Sequence, residues 1–168
     1  RKLKMNNQTA KEELAHWDKL LDEYESSIGL PVYQADGLQE SQLQSYLQMS
    51  RDKLEKLGPQ ECAEVAYILG QFSFHTQRTA NRETARLNWA DETIKEVIAD
   101  EINNYKGYGY IEKSMQAIKH NEKASKLNRI KRYAKQRVDR LCYLSNSIKN
   151  LSDILLSIQR AKMVKQNG

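Results

Sequence analysis

Proline occurs twice in this chain, at positions 31 and 59, and none of residues 60–168 is proline. Proline removes a backbone donor and clashes with the preceding turn, so its absence leaves room for very long helices. Glycine interrupts that stretch only at 70, 107 and 109 before the final residue. From Pro59 onward the apolar positions Cys62, Val65, Leu69, Phe72, Thr76 and Thr79 keep a coiled-coil spacing, which Leu87, Ala90, Ile94 and Val97 resume. The steps from Thr79 through Glu83 to Leu87 read as a stutter in that repeat. Residues 103–110, NNYKGYGY, break the helix near Asn104. A last long helix is expected from about Tyr110 into the 160s, carrying Ile118, Leu127, Ile130, Ala134, Val138, Leu141, Ile148, Leu151, Leu155 and Ile158.

Two such helices joined by a short connection pair antiparallel. The expected fold class is therefore all-α, a long antiparallel helical hairpin preceded by two shorter N-terminal helices. Thr9-Ala-Lys-Glu12 has the form of a capping box, followed by a helix with Leu14, Trp17, Leu20, Leu21 and Tyr24 on one face. The segment Ser26–Pro31 ends it, and Asp36-Gly37 marks a turn. A second helix is expected from about Leu38 to Leu57, with Leu43, Leu47, Ser50, Leu54 and Leu57 as its stripe and Gly58 as its stop. Two segments result, 1–58 and 59–168, the latter bending near 104–110. Around Val65–Phe74 the apolar residues exceed one narrow seam, so a homo-oligomer interface is expected at Tyr67, Ile68, Phe72 and Phe74.

No apolar run approaches the roughly 20 residues needed to cross a bilayer, and no apolar stretch of signal-peptide type follows the basic start RKLKM. A cytoplasmic protein without membrane contact is expected, or one in the host cytoplasm if phage-encoded. Cys62 and Cys142 sit on apolar helical stripes and are expected to be free, structural thiols.

The net charge of +5 is mild, and its distribution says more. With the bend near Lys106-Gly107, facing residues have numbers summing to about 214. Asp91, Glu92, Glu96, Asp100 and Glu101 then lie beside Lys113, Lys119 and Lys123 as intramolecular pairs. Farther from the bend, Arg78, Arg82 and Arg86 recur every four residues. Their expected neighbours include Arg129, Lys131, Arg132, Lys135, Arg137 and Arg140, with few acids nearby beyond Glu83 and Asp139. Gathered like charges favour a counter-charge from outside, and nucleic-acid phosphate supplies one. Tyr105, Tyr108 and Tyr110, interleaved with Lys106 and glycine, are candidate stacking platforms for single-stranded bases. Competing readings are an acidic protein partner, plain solvation of the basic face, and tyrosines that only close the hairpin.

His16, His75 and His120 lack metal-ligand spacing, and no phosphate loop, nucleophile elbow or catalytic triad pattern occurs. No catalytic residue, metal or cofactor is expected. A non-catalytic, oligomeric, single-stranded-DNA-binding accessory protein is the leading expectation. The alternative is a structural or adaptor protein, a virion component or regulatory coiled coil, whose basic face binds an acidic partner.

The second half resembles the UvsY-type recombination mediators of tailed phages. The basic helix Gln77-Arg-Thr-Ala-Asn-Arg-Glu-Thr-Ala-Arg86 leads to the turn Tyr105-Lys-Gly-Tyr108. A return helix follows with Val138-Asp-Arg-Leu-Cys-Tyr143. The resemblance covers about 90 residues, and residues 1–58 take no part in it. It implies a ring-forming oligomer that binds single-stranded DNA and helps load a recombinase in place of a single-strand-binding protein. It assigns Arg78, Arg82, Arg86, Lys106 and Tyr108 to that task.

Overall fold

A computed structural model describes residues 9–30 and 40–166. The described residues form seven α-helices and one 3-10 turn and contain no strand. The helices are α1 (Ala10–Ser27), α2 (Glu40–Leu47), α3 (Arg51–Lys56), α4 (Pro59–Ile98), α5 (Tyr110–His120), α6 (Glu122–Leu141) and α7 (Leu144–Gln166), with the 3-10 turn at Ile102–Asn104. The protein is all-α, and its long helix α4 pairs antiparallel with the returning helices α6 and α7. The turn expected at Asp36-Gly37 and a helix start at Leu38 lie outside the described residues.

Local chemistry sets most helix ends. Thr9 and Glu12 form the reciprocal capping box, with Thr9 N–H donating to Glu12 Oε2 at 2.8 Å. Beyond α1, Gly29 adopts the left-handed φ of 76° that glycine tolerates best. Pro59 opens α4, and the Glu61 carboxylate accepts from Gly58 N–H at 2.6 Å. The expected helix over 38–57 is two helices, because Ser50 leaves the stripe to accept from Lys53 N–H as the cap of α3. The expected helix from Tyr110 into the 160s is three. Asn121 turns extended and accepts from Ala124 N–H at the start of α6, and Tyr143, at φ 58°, separates α6 from α7.

The chain forms two compact units, one of Arg1–Val32 with Arg82–Val138 and one of Tyr33–Asn81 with Asp139–Gly168. In the first, α1, the second part of α4, α5 and α6 surround a core of Ala10, Ile94, Ile98, Ala117, Ala124 and Leu127. In the second, the first part of α4 and α7 enclose Val65, Ala66, Leu69, Ile148 and Leu155. Leu43, Leu47, Leu54 and Leu57 of α2 and α3 pack onto this core.

The second unit owes its close helix approach to small residues. Ser152 Oγ donates to Ala66 O at 2.7 Å, and Ser73 Oγ to Ser145 O at 2.9 Å. A Cβ at Gly70 would stand 3.8 Å from Ser152 Oγ. These hydroxyls are buried but satisfied, as burial requires. Lys162 closes the end of α3, donating to the carbonyls of Leu54, Glu55 and Leu57 at 2.9, 3.0 and 2.5 Å. Ser73 thus meets Ser145 rather than a residue near 141, one turn beyond the expected register. The cause is α5, which makes the connection longer than a tight bend at Lys106-Gly107. Cys62 is fully buried and Cys142 is exposed beside the Tyr143 break, so only the former sits in a packed stripe; both thiols are free. Leu69→Ala, at a fully buried site, is expected to lower stability by about 2–5 kcal/mol in urea unfolding.

Candidate nucleic-acid interface

Buried positions along α4 run Cys62, Ala66, Leu69, Ser73, Thr76, then Glu83, Ala90, Ile94 and Ile98. From Thr76 through Glu83 to Ala90 the buried positions keep steps of seven, so the repeat continues without the stutter expected from Thr79 to Leu87. A carboxylate in such a place is costly unless paired. Glu83 receives Arg86 Nη1 at 2.5 Å and Arg137 Nε at 2.7 Å, which joins α4 to α6.

The same arginines meet α1. Arg86 forks onto Asp18, with Nε to Oδ1 at 3.0 Å and Nη2 to Oδ2 at 2.9 Å. Arg82 pairs with Asp22 through Nη2, while its Nε lies 3.7 Å from a Glu25 carboxylate oxygen. Burial alone would depress the Arg86 guanidinium, but the hydrogen bond and charge of Asp18, with Glu83, hold its pKa above the ordinary value. The sequence expectation that acids are scarce around Arg82 and Arg86 is thereby corrected: α1 brings them. α1 docks through these acids with Leu14 and Leu21 half-buried, and leaves Trp17, Leu20 and Tyr24 exposed rather than packed as its apolar face.

Pairing near the connection also departs from the expected register. Asp91 accepts from Lys131 at 2.5 Å and Lys95 at 2.6 Å, not from Lys123. Lys123 reaches back to Glu13 of α1 at 2.7 Å. The hydrogen bonds of Lys131 and then Lys95 hold the Asp91 carboxyl below the usual carboxylate range.

Among the other candidate residues, Arg78 belongs to the second unit, half-buried and engaged. Lys135 is exposed and also engaged. Arg129 and Arg132 are exposed on α6 and form no ion pair among the described residues. Between them and Gln136 stands Tyr133, 57% exposed, which the sequence reading missed. Its signal was its spacing of four from Arg129. Lys126, one turn earlier, pairs with Glu122 within α6. The outer face of α6 is therefore basic and carries one aromatic ring.

At the connection the three tyrosines part company. Tyr105 is half-buried and stacks on His120, centroids 5.5 Å apart. Tyr108 is fully exposed, with its N–H donating to Glu112, and Tyr110 is 61% exposed at the start of α5. Lys106 is exposed, and its carbonyl accepts from Gln116 Nε2 at 2.9 Å. Gly107 sits in close approach to α5: a Cβ there would stand 3.1 Å from Glu112 Cβ, so the Glu112 side chain would have to give by a few tenths of an ångström. The groove between α1 and α4 is lined by Trp17, Trp89, Arg86, Asp18, Glu92 and Glu96; with Asp18 matched by Arg86, Glu92 and Glu96 are the carboxylates left on its rim.

In the second unit, Tyr67 and Phe74 are exposed on α4, whereas Ile68 is half-buried and Phe72 packs against the core. Among the described residues no three His, Cys, Asp or Glu side chains gather to hold a metal ion. No helix there is long and apolar enough to cross a membrane. No protein-family profile, curated protein or solved structure matches the chain.

Arg86→Ala removes the forked partner of Asp18 and leaves Glu83 with Arg137 alone, and is expected to cost about 1–3 kcal/mol in chemical unfolding. Asp91 has a folded pKa below its unfolded one, so its contribution is present above about pH 4 and is lost as pH falls through the folded value. Stability of Asp91→Asn is expected to fall less steeply below pH 4 than that of the parent, measured by urea titrations across the acid range.

Proposed function

We propose that this protein is a non-catalytic, self-associating helical protein that binds a polyanion, foremost single-stranded DNA, through the outer face of α6. The observation that carries the reading is the group Arg129, Arg132 and Tyr133, open to solvent with no ion pair to either arginine among the described residues. Unpaired guanidinium groups offer forked donors to phosphate and flat surfaces to bases, and an exposed phenol ring adds a stacking partner. Lys126 and Lys135 extend the face, and the exposed Tyr108 with Lys106 supplies a second basic–aromatic element in the same unit.

This reading moves the contact away from the arginines that first suggested it. Arg82 and Arg86 hold α1 in place, so their charge is already matched inside the molecule. Assistance to a recombinase, implied by the UvsY-type resemblance, is a proposal that follows only if single strands are bound. The pairing of Arg82 and Arg86 with a helix bearing Asp18 and Asp22 also favours a second reading. In it, the α6 face accepts an acidic helix of another protein in the same manner.

Fluorescence anisotropy with labelled single-stranded DNA, across a salt series and beside duplex DNA and RNA, separates the two. The expected result is binding that favours single strands and weakens steeply with salt. Arg129→Ala with Arg132→Ala is expected to weaken binding on every sequence, lower the salt slope by about two, and leave helicity intact. Binding that ignores salt would sink the phosphate model. No binding at low salt would favour the acidic protein partner.

A further inference from the structure

The groove between α1 and α4 lies wholly within the first unit and encloses about 470 Å³. That is inside the roughly 300–1,000 Å³ of ordinary ligand clefts. Both tryptophans of the chain line it, Trp17 from α1 and Trp89 from α4, together with Leu14 and Leu21. Trp89 packs against the core, whereas Trp17 is 49% exposed. On α4 the lining residues Ala85, Trp89, Glu92 and Glu96 recur at steps of three and four, so the groove follows that helix for about 16 Å.

Charge divides the groove. At one end Arg86 forks onto Asp18 and also reaches Glu83, so its cation is matched. Toward the other end Glu92 and Glu96 stand one turn apart; both are exposed, and neither forms an ion pair among the described residues. Lys95, which lies between them in sequence, pairs with Asp91, and Lys123 pairs with Glu13. Two carboxylates without a counter-charge therefore flank an apolar groove that contains indole rings. Indole is the ring a cation prefers, and lysine and arginine lay their methylene stems along apolar surface while the charged head stays outside. We infer that this groove binds a basic peptide segment of a partner protein. A lysine or arginine stem lies along Trp17 and Trp89, and its head meets Glu92 and Glu96. The site takes the opposite charge from the α6 face, so the inference does not rest on DNA binding.

Because the chain has no other tryptophan, its indole fluorescence reports on this groove. The test titrates nuclease-treated full-length protein with a capped tetra-arginine peptide in moderate salt. A capped tetra-citrulline peptide, of nearly the same shape without the charge, is run beside it. The expected result is a saturable change in emission with the arginine peptide and none with the citrulline peptide. Glu92→Gln with Glu96→Gln is expected to raise the dissociation constant by roughly tenfold. Trp17→Ala, which keeps Trp89 as reporter, is expected to raise it by about threefold or more. Asp52→Asn with Asp153→Asn removes two exposed carboxylates outside the groove and is expected to leave binding unchanged. Circular dichroism verifies that each variant is folded. Absence of a saturable change with the arginine peptide would overturn the inference. So would an equal response to the citrulline peptide, a folded Glu92→Gln, Glu96→Gln variant that binds like the parent, or an equal loss from the pair outside the groove.

Discussion

Everything in this structure depends on covering α4. A helix of 40 residues, Pro59–Ile98, carries an apolar seam along its whole length, and no helix of that composition is stable with the seam in water. The covering differs along its length because the seam residues differ. Where they are Ala66, Leu69, Gly70 and Ser73, helix α7 comes close and serine hydroxyls satisfy carbonyls across the contact. Where they are Ala90, Ile94 and Ile98, α6 and α5 pack a more uniformly apolar core.

Glu83 is the exception within the seam, and it organises its neighbourhood. A buried carboxylate must find cations, and Arg86 and Arg137 provide them from α4 and α6. Arg86 has donors to spare and extends the network to Asp18 of α1. The most conspicuous basic stripe in the sequence is thus largely a docking device for the N-terminal helix. On α6, by contrast, Arg129 and Arg132 are exposed and form no ion pair among the described residues.

The candidate site was therefore half legible. Arg129 and Arg132 were named from the sequence, because the hairpin register sets them beside Arg78, Arg82 and Arg86. The fate of Arg82 and Arg86 was missed, although a signal existed. Asp18 and Asp22 repeat at the same spacing of four, which lets two antiparallel helices zip charge to charge. Reading the hairpin as a two-helix object hid this, since α1 was left unassigned.

The sequence by itself determined the helical class, the capping box at Thr9, the start of α4 at Pro59 and the antiparallel return. Each of these is a local rule: proline spacing, side-chain caps and apolar periodicity act within a few residues of chain. Tertiary structure alone decided the register, which α5 displaces by a turn or more. It also decided the breaks at Asn121 and Tyr143 and the side of α4 on which α1 lies. Those outcomes turn on contacts between residues 40 to 110 positions apart, such as Asp91 with Lys131 and Lys123 with Glu13. No local preference encodes which of several equally spaced charges will meet; packing chooses by burying Glu83 and matching it first.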